Sequence, residues 1–186
     1  IGGGDGRSGL IDPANVSNIA FSANEKIFVS ANAGTNITDL TPPDIVEGNG
    51  WPALSHNVDN FTEKIAGYQT GIYKYYPNAF IWSNRGAAGN SALINCPSNS
   101  SRFYAAQGNK LYRSDNAADS WTDISDRSGF PSGTFFITDL AVSPTNSGLL
   151  YMTVGGYVSG TKIYQSNNGG ETWVNISGNL ANVATI

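Results

Sequence analysis

Ser166-Asn167-Asn168-Gly169-Gly170-Glu171-Thr172-Trp173 decides the fold. The Asn-Gly-Gly core supplies the positive-φ positions of a tight hairpin. An Asn or Asp side chain can accept backbone N–H groups inside its own turn. The tryptophan ends the turn with a ring large enough to pack beneath it. Upstream lies Ile163-Tyr164-Gln165 and downstream Val174-Asn175-Ile176-Ser177, both β-like.

The same stretch recurs without a gap 52 residues earlier, from Leu111-Tyr112-Arg113-Ser114-Asp115 to Trp121-Thr122-Asp123-Ile124-Ser125. Two fainter copies follow the same template. Ile27–Gly34 leads to Ile37-Thr38-Asp39-Leu40-Thr41, and Ile72-Tyr73-Lys74-Tyr75 leads to Trp82-Ser83-Asn84. A second column supports the first: Asp12-Pro13, Asp59-Asn60, Cys96-Pro97 and Ser143-Pro144 each end one β-like run and precede another. The unit is roughly 45 residues with four short strands, the signature of propeller blades. In the last unit the strands are expected over Phe136–Val142, Leu149–Val154, Lys162–Ser166 and Thr172–Ile176. No segment sustains a helical period. The expected fold is therefore all-β, with blades of four antiparallel strands. The blade boundaries are expected at about residues 1–41, 45–84, 90–125 and 133–177, with 178–186 approaching a further blade.

The pattern Ser-X-Asp/Asn-X-Gly-X-Thr-Trp resembles the Asp-box, or bacterial neuraminidase repeat, of sialidases, sortilin-type receptors, xyloglucan-degrading enzymes and photosystem assembly factors. Gly3-Gly4-Asp5-Gly6, Ile11-Asp12-Pro13 and Ile176-Ser177-Gly178-Asn179-Leu180 resemble secreted bacterial seven-bladed propellers of the xyloglucanase-like group. The resemblance implies that Ser114, Asp115, Trp121, Ser166, Asn167, Gly169, Gly170, Thr172 and Trp173 are structural box residues at the outer rim. It also implies seven blades, roughly 315 residues at this period, so the remaining blades are expected on the same or another chain.

The 186 residues carry a formal net charge of −4, with no Lys/Arg run to neutralise phosphates, so nucleic acid is not an expected partner. No apolar run reaches the length of a membrane-spanning helix. One cysteine and one histidine, Cys96 and His56, cannot build a zinc or haem site. Cys96 reads as a buried thiol and His56 as a hydrogen-bonded strand residue. No cofactor is expected: calcium is the cation that the hard oxygens of Asp115, Asn116 and Asp119 could take, but the ordered EF-hand pattern is absent and a hairpin turn explains these residues.

A glycosidase needs two carboxyls about 5–10 Å apart. The candidates are Asp5, in the glycine-rich loop Gly2–Arg7, with Asp12, Asp59 and Asp139. No Phe/Tyr-Arg-Ile-Pro segment of the sialidase kind is present. Glycan platforms need exposed aromatics, for which Trp51, Tyr68, Tyr75, Tyr76 and Tyr157 are the candidates. The functional expectation is a secreted or cell-surface, non-catalytic binding, adhesion or scaffold module contacting a polysaccharide or a surface protein. The alternative is a xyloglucanase-like glycoside hydrolase with part of its site outside this chain.

Overall fold

The computed structural model describes residues 6–87, 89–157 and 160–180. Its secondary structure is entirely β among those residues. Sixteen strands form four antiparallel sheets, each connected in simple order. The first sheet holds β1 (Gly6–Ile11), β2 (Ile19–Ala23), β3 (Lys26–Ser30) and β4 (Thr38–Asp39). The second holds β5 (Ala53–Asn57), β6 (Asn60–Gly67), β7 (Ile72–Tyr76) and β8 (Ile81–Asn84). The third holds β9 (Ala92–Cys96), β10 (Asn99–Gln107), β11 (Lys110–Ser114) and β12 (Thr122–Asp123). The fourth holds β13 (Phe136–Val142), β14 (Leu150–Gly155), β15 (Ile163–Ser166) and β16 (Val174–Asn175). The first strands of successive sheets touch in the order β1, β5, β9, β13, so they line the inside of the array.

Alternation along each strand places the core between blades rather than within one. In the second blade, Leu54, Ala66 and Tyr73 join Ile27 of the first blade. Their neighbours in sequence, Ile65 and Ile72, face the other way and pack on Phe103, Ala105 and Ala118 of the third. The third and fourth blades share the largest cluster, including Tyr104, Leu111, Ile124, Leu150, Met152 and Trp173.

The hairpin between the third and fourth strands is closed by side chains in three of the four blades. Ser166 Oγ accepts from the N–H of Asn168 and Gly170, and Asn168 Oδ1 accepts from the N–H of Thr172 at 2.9 Å. Ser114 and Asn116 repeat this on Ala118 and Ser120. Ser30 and Asn32 repeat it on Gly34 and Asn36, although that unit has no tryptophan. The clamping amide is thus the residue two after the serine. Asn168 and Asn116 hold the turns, not Asn167 and Asp115, because only the second side chain reaches back across the loop to the N–H four positions further on. Asp115 instead receives Arg102 and Arg113, at 2.6 and 2.8 Å.

These turns need two consecutive left-handed residues. Gly169 and Gly170 supply them in the fourth blade, with φ of 72° and 90°. In the third, Ala117 and Ala118 are held there, at 56° and 66°. Left-handed backbone costs an L-residue about 1–2 kcal/mol. Ala117→Gly therefore stabilises the protein by about 0.5–1 kcal/mol, after the entropy the glycine adds to the unfolded chain. Urea denaturation checks this. Ala118→Gly gains less, since its methyl is fully buried.

A second repeated clamp closes the fourth strands. Asp39, Asp123 and Asn175 accept the N–H two residues ahead, at Thr41, Ser125 and Ser177. The hydroxyls of those three residues in turn accept from the third strand at Ile27, Leu111 and Ile163.

Candidate functional site

Antiparallel order puts the starts of the first and third strands of a blade at one end, and the serine-clamped turns at the other. At the end away from the turns, the Arg7 guanidinium gathers three blades. It donates to the carbonyls of Trp51 at 3.1 Å and Ser91 at 2.8 Å, just ahead of β5 and β9. Arg7, Ser8, Ser91 and Asp139 line a cavity of about 280 Å³ between the inner strands. Asp139 sits at a register shift in β13, and its own carboxylate accepts from the N–H of Leu140.

A larger cavity, about 500 Å³, opens at the same end between the first blade and the connection to the second. Its walls include Glu25, Lys26, Val46, Glu47 and Trp51. Asn24 and Glu25 form the tight turn between β2 and β3, both with positive φ. That turn is pinned twice: the Tyr68 hydroxyl donates to the Glu25 carbonyl at 2.9 Å, and the Gly48 N–H donates to the Glu25 carboxylate at 2.7 Å. The second bond ties the 42–52 connection to the first blade. Trp51 remains 45 % exposed with its carbonyl held by Arg7, so its ring is presented on an anchored backbone.

The structure separates the other aromatic candidates. Tyr68 is completely buried, its hydroxyl is spent on Glu25, and burial pushes the phenol well above its ordinary range, so it offers no platform. Tyr75 is 8 % exposed and packs against Trp82, with ring centroids 5.2 Å apart. The Tyr76 hydroxyl donates to Asp119 of the third blade at 2.6 Å. Both lie in β7, toward the end that carries the turns. Tyr157 is 76 % exposed in the connection from β14 to β15, at the Trp51 end but on the fourth blade.

Among the acids, Asp5 lies outside the described residues. Asp12 caps its own turn, accepting from the Ala14 N–H and the Asn18 amide, and these bonds hold its carboxyl below the usual range. Asp59 is exposed in the turn between β5 and β6. Asp12 and Asp59 follow the first strands of their blades and stand at the end opposite the Trp51 cavity. The structure does not bring either together with Asp139. Glu25 and Glu47, which line the cavity with Trp51, escaped sequence reading. Neither lies in a repeat column, and only the Asn24-Glu25 turn signal hinted at the first.

Asp115 and Asp119 face cations of the protein itself: Arg102 and Arg113 for one, Lys74 and Arg85 for the other. Among the described residues no three His, Cys, Asp or Glu side chains converge as metal ligands. Cys96 is fully buried, and desolvation raises its thiol to about 11. His56 Nδ1 lies 2.9 Å from the Asn57 carbonyl, with its ring on Phe61.

No protein-family model and no curated protein matches the chain. Solved structures do. An ancestral GH74 enzyme superposes with a TM-score of 0.72 at 17 % identity, over 92 % of this chain and 24 % of its own. The GH74 xyloglucanase of Xanthomonas campestris gives 0.68 at 16 %, over 89 % and 29 %. YCF48 of Cyanidioschyzon merolae gives 0.60 at 18 %, over 91 % and 56 %. The chain thus spans about a quarter of the GH74 enzymes and about half of YCF48. At such identities the likeness establishes the propeller fold alone.

Proposed function

We propose that this chain supplies four consecutive blades, three of them closed by Asp-box turns, of a larger extracellular propeller, seven-bladed by resemblance, whose end opposite the box turns binds a glycan at the Trp51 cavity. The remaining blades are its first partner, on the same or another chain. The carrying observation is an exposed indole on a pinned backbone, beside carboxylates, in a cavity of about 500 Å³. Sugar rings stack apolar C–H faces on such a ring, and carboxylates and amides take their hydroxyls. The GH74 neighbours make xyloglucan the first polysaccharide to try. Affinity electrophoresis in xyloglucan and related glucans tests the reading. Wild type is retarded, and Trp51→Ala binds at least ~10-fold more weakly with little change in Tm. Equal retardation of the two proteins, or none of wild type by any glucan, overturns it.

One observation favours a second reading, a glycoside hydrolase: Glu25 and Glu47 stand on the wall of the same cavity. Two carboxyls across a sugar are what glycosidic cleavage requires. Release of reducing ends from the polysaccharide that binds, abolished in Glu47→Gln, would establish catalysis. Binding without release keeps the module non-catalytic.

A further inference from the structure

We infer that the groove between the first and second blades, at the end carrying the box turns, is a binding site for a small apolar carboxylate anchored by Lys64. Strand register makes Lys64 an anomaly. Ile65 pairs with Lys74 as Tyr104 pairs with Arg113, Tyr151 with Gln165 and Ala20 with Val29. Lys64 therefore stands in the column of Phe103 and Leu150, which pack on the preceding blade, and of Ile19 in the first blade. Phe103 and Leu150 are fully buried, and Lys64 is 4 % exposed. Among the described residues its ammonium meets the Phe61 carbonyl and the Phe61 ring, 3.5 Å from the centroid, and no other group. Among the described residues no carboxylate lies within ion-pair distance of it. The counter-charge that acts on it, Asp12, is engaged in its own turn.

The surroundings explain why the space exists. Between the second and third blades, Lys74 reaches the Ala117 carbonyl of the next turn, and between the third and fourth Arg113 reaches that of Gly169. Val29 holds that column in the first blade and has no such reach. The facing turn, Pro77–Phe80, also lacks the serine clamp. A groove of about 420 Å³ remains, lined by Val29, Leu40, Phe61, Lys64, Tyr75 and Phe80 among others. That is the size of a small-molecule site. Phe80 stands at its lip, 82 % exposed and held at a φ of 55°. A bulky residue in that backbone conformation is an outlier of the kind that accumulates at ligand clamps. A buried cation lacking an anion, within apolar and aromatic walls, is complementary to a carboxylate on a hydrocarbon or aryl body.

The test uses the full chain and 3-phenylpropionate, with 3-phenylpropanamide and glucuronate as comparators, by calorimetry or ligand-observed NMR. The carboxylate is expected to bind saturably, and the uncharged amide at least ~10-fold more weakly. Lys64→Met, which keeps the hydrocarbon stem, loses at least ~10-fold in affinity. Phe80→Gly loses several-fold in binding while its Tm rises, because the glycine relieves the backbone. No saturable binding of 3-phenylpropionate overturns the proposal, as does equal affinity for the amide or undiminished binding by Lys64→Met. Preference for glucuronate overturns it in favour of an acidic sugar. The amide comparison decides the matter on wild type even if a variant fails to fold. None of these outcomes bears on the Trp51 cavity, which lies at the other end of the blades.

Discussion

Gly67→Ala is expected to destabilise the protein by about 3–5 kcal/mol, the largest effect of any single methyl considered. Gly67 ends β6, where the second blade meets the connection to the third. A Cβ there would stand 2.1 Å from the Gly89 carbonyl oxygen and 2.6 Å from its carbon. The obstacle is backbone, so no side-chain rotation relieves it. The Gly89 N–H also bonds to the Tyr68 carbonyl, and the two segments cannot separate without losing that bond. A shift of about 10 °C in Tm follows for a chain of this size. Gly108→Ala is the control. Its φ is 57° and nothing lies within 4 Å of its Cβ, so only the left-handed backbone term of about 1–2 kcal/mol applies. Equal, small losses in both variants would mean that the two blades do not approach this closely.

Lys64→Met has the opposite expected sign. Desolvation lowers the Lys64 ammonium from 10.5 to about 8, partly opposed by Asp12. In the unfolded chain the amine keeps its ordinary affinity, so between about pH 8 and 10.5 the unfolded state binds more protons than the folded one. Stability from this group is therefore lowest below pH 8, rises through that window and is level above it. At pH 7 methionine removes the buried charge and forfeits the Phe61 contacts, a net gain of about 2 kcal/mol. Denaturant unfolding at pH 7 and pH 10 measures both parts. The variant should be the more stable at pH 7, and the difference should shrink toward pH 10. A variant less stable at pH 7, or a difference that does not change with pH, refutes the account.

Much of this fold was legible because it is built from local rules. The hairpin from Ser166 to Trp173 carries its own donors, acceptors and positive-φ residues within eight positions, so it is readable wherever it recurs. The strand period of two and the Asp12-Pro13 type of turn are equally local. The pattern Ser-X-Asp/Asn itself puts the clamping side chain two residues after the serine, at Asn168 and Asn116, and the closed loops agree; singling out Asn167 and Asp115 is one residue too early. The first unit shows the converse: Ser30 and Asn32 complete the turn where the absence of tryptophan suggested decay.

The candidate sites were less legible, and Trp51 and Tyr68 show why. Both are aromatic residues beside a turn. One stands 45 % exposed over a cavity, whereas the other is sealed between blades with its hydroxyl on Glu25. Nothing within a few residues of either distinguishes them, because the difference is made by the neighbouring blade. Lys64 is a plain lysine in sequence and becomes a buried cation only when β6 packs on the first blade.

By itself, then, the chain determined its strands, its turns and the four-strand unit, since each depends on bonds and periodicities spanning fewer than about a dozen residues. The tertiary structure decided which carboxylates share a wall with Trp51, that Arg7 ties three blades together, and that Lys64 lies in the column of Phe103 and Leu150 without a counter-ion. Those are relations between blades some 40–50 residues apart, and they follow from how one twisted sheet seats on the next, a packing that no local pattern encodes.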